Sequence, residues 1–416
     1  MKSKKELINE INEIGWEFKN SDTQYLSHNI HRYSGKFIPQ IAHSAIELLT
    51  SPGDVVLDPY LGSGTTALEA MLLGRKCIGV DLNPLAILIS QVKNTVLSKE
   101  KLSVFQQKLL SSIAHLEDGQ LSIMTLSDDV YKGKLQKPEE SDRYHTEWNK
   151  KWYQDHVLKQ LIMIYDIIDQ IPEIELQRIA KVAFSDILRK SSNASSRYPN
   201  VMFDKNHKTK ALPLKSFTDS FNDVINKLIN LSTALGNSLY YPGRIILGNN
   251  TKLLLDNDSV DAIVTHPPYI AAVPYAEYGC LSLDWLGYNS RELDAELTGG
   301  KRHRKDVVIR FEYDYNLMIK EAFRVLKHAK FAFFMVGNPT ANGSVVDLHE
   351  MTIRLALQNG FEYLCTAERS GVNRRGNNMG IETGSAFMQI HKKVAGRYLK
   401  VNITAFFTVY FKVVLY

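Results

Sequence analysis

The sequence predicts an α/β protein built on a doubly wound, mostly parallel sheet and interrupted by a mostly helical insertion. Three observations carry this reading. Short runs rich in Val, Leu and Ile alternate with helical periodicity near the start of the chain and again beyond residue 240. A glycine-bracketed turn, Gly62-Ser63-Gly64, follows the first such run directly. Between Lys99 and Tyr241 the strand-like runs give way to three long stretches with helical spacing.

The elements follow in order. "DVVLDPY" at 54–60 is short, apolar and β-branched, which suits a strand buried on both faces. "GSGTTALEAMLLG" reads as turn, helix and stop, with Thr65 or Thr66 as cap and Gly74 at the end. "RKCIGVDLN" at 75–83 is the second strand, and "PLAILISQVKNTVL" the second helix, with Pro84 in its first turn. Later strands are expected at 244–249, 260–266, 330–338, 362–368 and 385–393, with helices near 275–286, 313–327 and 346–359. This divides the chain into a discontinuous catalytic domain (1–110 and 240–393), a helical insertion (111–239) and a tail (394–416) that is strand-prone and has no functional reading.

Composition narrows the function classes. The 416 residues carry a formal charge of +5, which permits a polyanionic partner without demanding one. Three widely spaced cysteines with no CxxC pair give neither a zinc signature nor a disulfide framework, so a cytoplasmic setting is expected and metal ligands are not. The polar N-terminal stretch does not read as a signal peptide, and no apolar run is long enough for a bilayer.

Two motifs carry chemistry. Asp58 closes the first strand and Asp81 the second, a spacing at which a carboxylate can accept from both hydroxyls of a ribose while the glycine turn lets backbone approach a ligand. Alone this is a weak signal, shared by nicotinamide and methyl-donor folds. The second motif, "DAIVTHPPY" at 261–269, places two prolines right after an apolar strand. They remove two backbone donors and hold the chain extended, leaving carbonyls to accept from a planar amine while Tyr269 stacks on its ring.

Together the motifs resemble the DNA amino-methyltransferases, which transfer methyl from S-adenosylmethionine to cytosine N4 or adenine N6. "DPYLGSGTTALEA" is similar to the family's methyl-donor loop, "GVDLNPLA" to its second-strand signature, "HRYSGKFIPQIA" to the segment that closes over the methionine part of the donor, and "VTHPPYIAAVPYAEYGCLSLDWLGY" to its catalytic loop. The resemblance implies a Rossmann-like S-adenosylmethionine-dependent methyltransferase fold, with the insertion as target-recognition region. It implies a donor site of Tyr33, Lys36, Phe37, Asp58, Pro59, Tyr60, Gly62, Ser63, Gly64, Thr65, Asp81, Asn83 and Asn249, and a catalytic turn of His266, Pro267, Pro268 and Tyr269. Two positions depart from the family pattern. His266 stands where Ser, Asp or Asn begins the catalytic tetrad, and Asn249 where Gly-Asp is common.

The expected mechanism localises the amine lone pair by hydrogen bonds to His266 and to the Pro267 carbonyl, on a base flipped out of the duplex. His266 accepts only when unprotonated. The target tilts toward cytosine N4 over adenine N6, because position 266 lacks the acidic or amide acceptor of adenine enzymes. Double-stranded DNA is the expected partner, with a cognate restriction endonuclease beside it, and Lys301, Arg302, Arg304 and Lys305 in "GGKRHRK" are expected to contact phosphates. Arg374 and Arg375 carry the same reading. An RNA amino-methyltransferase and a catalytically silent nucleic-acid-binding relative are the rival readings.

Overall fold

The computed structural model describes residues 3–36, 38–114, 144, 146–198, 200–271, 273–298, 300, 304–341, 343–372 and 378–389. Phe37, Lys301, Arg302, Arg374, Arg375 and the tail 394–416 lie outside them.

Seven strands form the central sheet: β1 (Val55–Asp58), β2 (Lys76–Asp81), β3 (Arg244–Leu247), β4 (Val260–Thr265), β5 (Leu326–Gly337), β8 (Phe361–Val372) and β9 (Asn378–Gln389). A small hairpin, β6 (Thr340–Ala341) and β7 (Ser344–Val345), sits apart. The order is β3-β2-β1-β4-β5-β9-β8, with β1 to β5 parallel and β9 antiparallel to both of its neighbours. Chain order reverses between β1 and β4, so the carboxyl ends of β1, β2, β3 and β4 open on one crevice, where open α/β sheets bind ligands. The Rossmann-like fold is therefore present.

The helices are α1 (Lys4–Glu13), α2 (Pro39–Leu49), α3 (Thr65–Leu72), α4 (Pro84–Lys93), α5 (Lys99–Ala114), α6 (Glu147–Trp152), α7 (Asp155–Asp169), α8 (Ile174–Ser191), α9 (Pro213–Leu235), α10 (Tyr275–Tyr278), α11 (Cys280–Trp285), α12 (Ser290–Glu296), α13 (Val307–Val325) and α14 (Leu348–Gln358). Helices α5 to α9 share one apolar core with α4 and α11. Its centre is Trp285, 1% exposed, stacked on Tyr144 at 4.6 Å and packed against Phe184 at 5.0 Å. That shared core is what holds the helical region against α4 and α11. No helix among the described residues is long and apolar enough to cross a membrane.

Local chemistry corrects one expectation. Neither Thr65 nor Thr66 caps α3; Gly64 is the N-cap, in left-handed backbone with φ of 81°. A Cβ at Gly64 would also meet Ser90 Oγ of α4 at 2.5 Å, so only glycine lets α4 lie this close to the turn. α4 itself starts as expected: Pro84 opens it and the Asn83 side chain accepts from the Leu85 N–H at 3.0 Å.

Candidate active site

A cavity lies in the crevice at the switch point. Its floor is the turn after β1, from Pro59 to Ser63, and one wall is Asp81 to Asn83 after β2. Asn250 closes it from beyond β3, and His266 and Pro268 from beyond β4. Tyr33, Gly35 and Lys36 cover it from the segment before α2, and Tyr275 of α10 lies against Tyr33, ring centroids 6.2 Å apart.

The two strand-end carboxylates have different situations. Asp81 reaches the cavity wall with both oxygens held by backbone: Oδ2 accepts from Gly62 N and Oδ1 from Asn83 N, each at 2.8 Å. Burial lifts its carboxyl above the ordinary carboxylate range, against the downward pull of those two N–H groups. Asp58 sits behind the wall, 1% exposed. Its Oδ1 accepts from Thr265 Oγ1 at 2.6 Å and from Tyr60 N at 3.1 Å, and its Oδ2 from Thr66 Oγ1 at 2.6 Å. It ties the ends of β1 and β4 to the first turn of α3. Burial raises its carboxyl to about 6, the three donors offsetting part of that cost.

The turn after β4 is fixed by the histidine ring. His266 Nδ1 lies 3.1 Å from the Gly35 carbonyl, which can only accept, so that nitrogen carries a proton. In the neutral ring Nε2, 3.0 Å from the Tyr269 hydroxyl, accepts from it. The two rings meet edge to face, centroids 5.2 Å apart. His266 thus joins the covering segment to the catalytic turn.

A sequence model of the DNA methylase family (N6_N4_Mtase) matches residues 2–92, which hold the covering segment, the glycine turn and Asp81. The chain is 26% identical over 377 residues to the type II methyltransferase M.MvaI of Kocuria varians, covering 78% of this chain and 79% of that one. It is 24% identical over 322 residues to M.MjaII of Methanocaldococcus jannaschii, covering 60% of each. Residues 2–92 thus carry the sequence pattern of the DNA methylase family, and most of the chain is similar to type II methyltransferases. Among solved structures, the rRNA methyltransferase AviRa of Streptomyces viridochromogenes superposes with a TM-score of 0.36 at 10% identity, covering 89% of this chain and 94% of that one.

S-adenosylmethionine is the methyl donor that this family implies, and the cavity has the groups to hold it. Asp81 offers acceptors for a ribose diol. Asn250 Oδ1 and Thr65 Oγ1 are buried at the cavity with no hydrogen-bond partner among the described residues, the state expected of groups that a polar ligand completes.

Most of the residues expected at the donor site reach this cavity. Tyr33, Lys36, Pro59, Tyr60, Gly62 and Ser63 line it, as do Thr65, Asp81 and Asn83. Three do not stand as expected. Asp58 supports the wall from behind, as described. Gly64 is a packing position under α4. Asn249 is exposed and turns away, its Oδ1 accepting from both N and Oγ1 of Thr251 at 2.8 Å; the next residue, Asn250, faces the cavity, its Nδ2 donating to the Pro59 carbonyl at 2.8 Å. The sequence holds two adjacent asparagines, and nothing in it says which one the end of β3 directs inward.

In the turn expected to be catalytic, one residue, His266, differs from expectation. Pro267 is buried, Pro268 lines the donor cavity, and Tyr269 lines a small adjoining hollow with Asp294 and Thr298. Tyr275 borders both spaces. His266 does not offer an unengaged ring nitrogen to an amine, since its acceptor already takes the Tyr269 hydroxyl. Of the basic loop, Arg304 is committed to a bidentate pair with Asp306 at 2.8 and 2.9 Å, while Lys305 is exposed.

Sequence reading missed the support beneath the turn. Glu69 of α3, fully buried, accepts from Tyr25 Oη at 2.5 Å, is bonded to His28 Nε2 at 2.6 Å, and is bonded to His43 Nδ1 at 2.8 Å. Lys93, also buried, donates to Ser63 Oγ at 3.3 Å. Burial and the Lys36 ammonium hold its amine well below the ordinary lysine range. Both sit in short apolar helices that are buried on nearly every face, and the sequence alone does not show that a single charged residue there is enclosed with the rest.

Proposed function

We propose that this chain methylates the exocyclic amine of a base flipped out of double-stranded DNA, with cytosine N4 favoured over adenine N6. The observation that carries the reading is one cavity bounded both by the methyl-donor turn (Gly62, Ser63, Asp81) and by the His266–Pro268 turn after β4. Donor and acceptor chemistry then share one space, and positioning supplies most of the rate.

Bound S-adenosylmethionine supplies an activated methyl on a sulfonium. The chain's residues do the rest. Asp81, held by the N–H groups of Gly62 and Asn83, orients the donor. The Pro267 carbonyl accepts from the amine, drawing its lone pair away from the ring. Tyr269 stacks on the base, and His266, through the Tyr269 hydroxyl and the Gly35 carbonyl, holds that stacking ring and the cover over the donor in one arrangement. His266 is therefore a positioning residue in this account. The cytosine preference rests on the absence of an acidic or amide acceptor at position 266. The type II naming of M.MvaI and M.MjaII supports a place beside a cognate restriction endonuclease. In the same reading, residues 111–239 serve target recognition.

The test is transfer of tritiated methyl from S-adenosylmethionine to unmodified DNA and to RNA. Label in DNA alone is expected. Label in RNA alone supports the RNA-enzyme reading, and donor binding with no label anywhere supports the silent relative.

A further inference from the structure

A second cavity of about 450 Å³ lies on the far side of the Tyr33–Tyr275 pair, and both rings wall it as well as the donor cavity. That volume is within the roughly 300–1,000 Å³ typical of ligand sites. Its walls come from residues 31–34, the end of α8 and the loop after it, Lys210, and α10–α11.

Its chemistry is one-sided. The His31 ring is bonded to Ser185 Oγ at 2.9 Å, which donates to Ser282 Oγ at 2.7 Å, giving a polar floor that joins the covering segment, α8 and α11. Arg189 donates to the carbonyls of Ser195, Tyr198 and Asn200 and so shapes the loop. Arg32, Lys190 and Lys210 also line the cavity, and among the described residues their side chains make no ion pair or hydrogen bond. Against these four cations stands one carboxylate, Asp186, which accepts from Ser220 Oγ at 3.3 Å.

Three unpaired cations from three separate segments suit a chain of spaced negative charges better than a single carboxylate or phosphate. We propose that this cavity grips the DNA strand that carries the target base, with Arg32, Lys190 and Lys210 pairing phosphodiester groups next to the flipped nucleotide. The base and its own backbone then lie on opposite sides of the Tyr33–Tyr275 pair. The proposal rests on the function proposed above and deepens it. It assigns the backbone contacts to a cavity shared by α8, the loop after it and the covering segment, apart from the "GGKRHRK" loop.

The test is fluorescence anisotropy of a fluorescein-labelled mixed-sequence duplex, titrated with the full chain over about 50 to 200 mM salt. The double variant Lys190→Ala/Lys210→Ala should bind several-fold more weakly. Its plot of log affinity against log salt should be shallower by up to about 0.9 for each phosphate that is no longer neutralised. Lys5→Ala, on α1, should leave the slope unchanged. Calorimetric titration with S-adenosylmethionine should give wild-type affinity for all three proteins, showing that the fold is intact. An unchanged slope in the double variant, with wild type binding the duplex, overturns this proposal and leaves the methyltransferase reading standing. A wild type that binds the donor but no duplex overturns both. Equal binding and equal sensitivity with RNA of the same sequence overturns the choice of DNA.

Discussion

Asp81→Asn separates a ligand-binding carboxylate from a structural one. The wild-type carboxylate takes one backbone N–H on each oxygen, from Gly62 and Asn83, and still faces the cavity. An amide keeps one of these bonds and turns its NH₂ against the other N–H, donor to donor. That unsatisfied N–H costs about 1–3 kcal/mol in free and bound protein alike, so it appears as a lower Tm and cancels from affinity. What the donor loses is a charge-assisted pair of hydrogen bonds from its diol, about 1.5–3 kcal/mol. At about 1.4 kcal/mol per tenfold, Kd for S-adenosylmethionine should rise about 10- to 150-fold. Isothermal titration, on protein shown folded by circular dichroism, measures it. Asp58→Asn is the control: it lies behind the wall, and its Kd should change only a few-fold. Unchanged affinity in Asp81→Asn, or a larger loss in Asp58→Asn, refutes the assignment of the cavity.

Other outcomes follow from the same geometry. Burial holds the Asp58 carboxyl at about 6 against an ordinary 3.8, so between these values the folded state keeps a proton that the unfolded chain has lost, and stability falls as pH rises through the window. Asp58→Asn removes that dependence, so denaturant unfolding at pH 4 and pH 7 should show the variant gaining about 2 kcal/mol relative to wild type as pH rises; parallel curves would contradict the burial argument. Gly64→Ala forces a side chain into left-handed backbone against Ser90 and should cost about 1–3 kcal/mol in denaturant midpoint, with weaker donor binding; a neutral effect would show that α4 can yield. Tyr269→Phe removes the hydroxyl bonded to His266 and should lower kcat about 2- to 12-fold, one net hydrogen bond of about 0.5–1.5 kcal/mol, while Tyr269→Ala should lose more through base stacking; equal rates in all three would remove the turn from the mechanism.

The parts of the fold that were legible in the sequence are those where local chemistry has few alternatives. β1 and β2, buried and β-branched, and the glycine turn between them could be placed from residue types alone. Elements shaped by long-range packing were not. The helix expected near 313 begins at Val307, and its N-cap, Asp306, makes no side-chain capping bond. β5 starts at Leu326, inside a stretch that reads as the end of a helix, because Ala329 sits at φ of 59° and the pairing with β4 slips between Val260 and Ala262. The helix expected at 275–286 breaks at Gly279 into α10 and α11. In the site, residue types named the donor turn and Asp81. Whether a carboxylate lies on a wall or behind it, which of two asparagines faces in, and what already occupies a histidine nitrogen depend on neighbours distant in sequence: Thr265, Pro59 and Gly35.

The central claim is that this cavity joins a methyl donor to an amine on DNA. The most direct measurement is mass spectrometry of nucleosides from unmodified DNA after incubation with the purified chain and S-adenosylmethionine. The account predicts N4-methylcytosine, absent from a parallel reaction with Asp81→Asn at a donor concentration well below that variant's Kd. DNA with no methylated amine, from a protein that binds the donor with wild-type calorimetry, would contradict it.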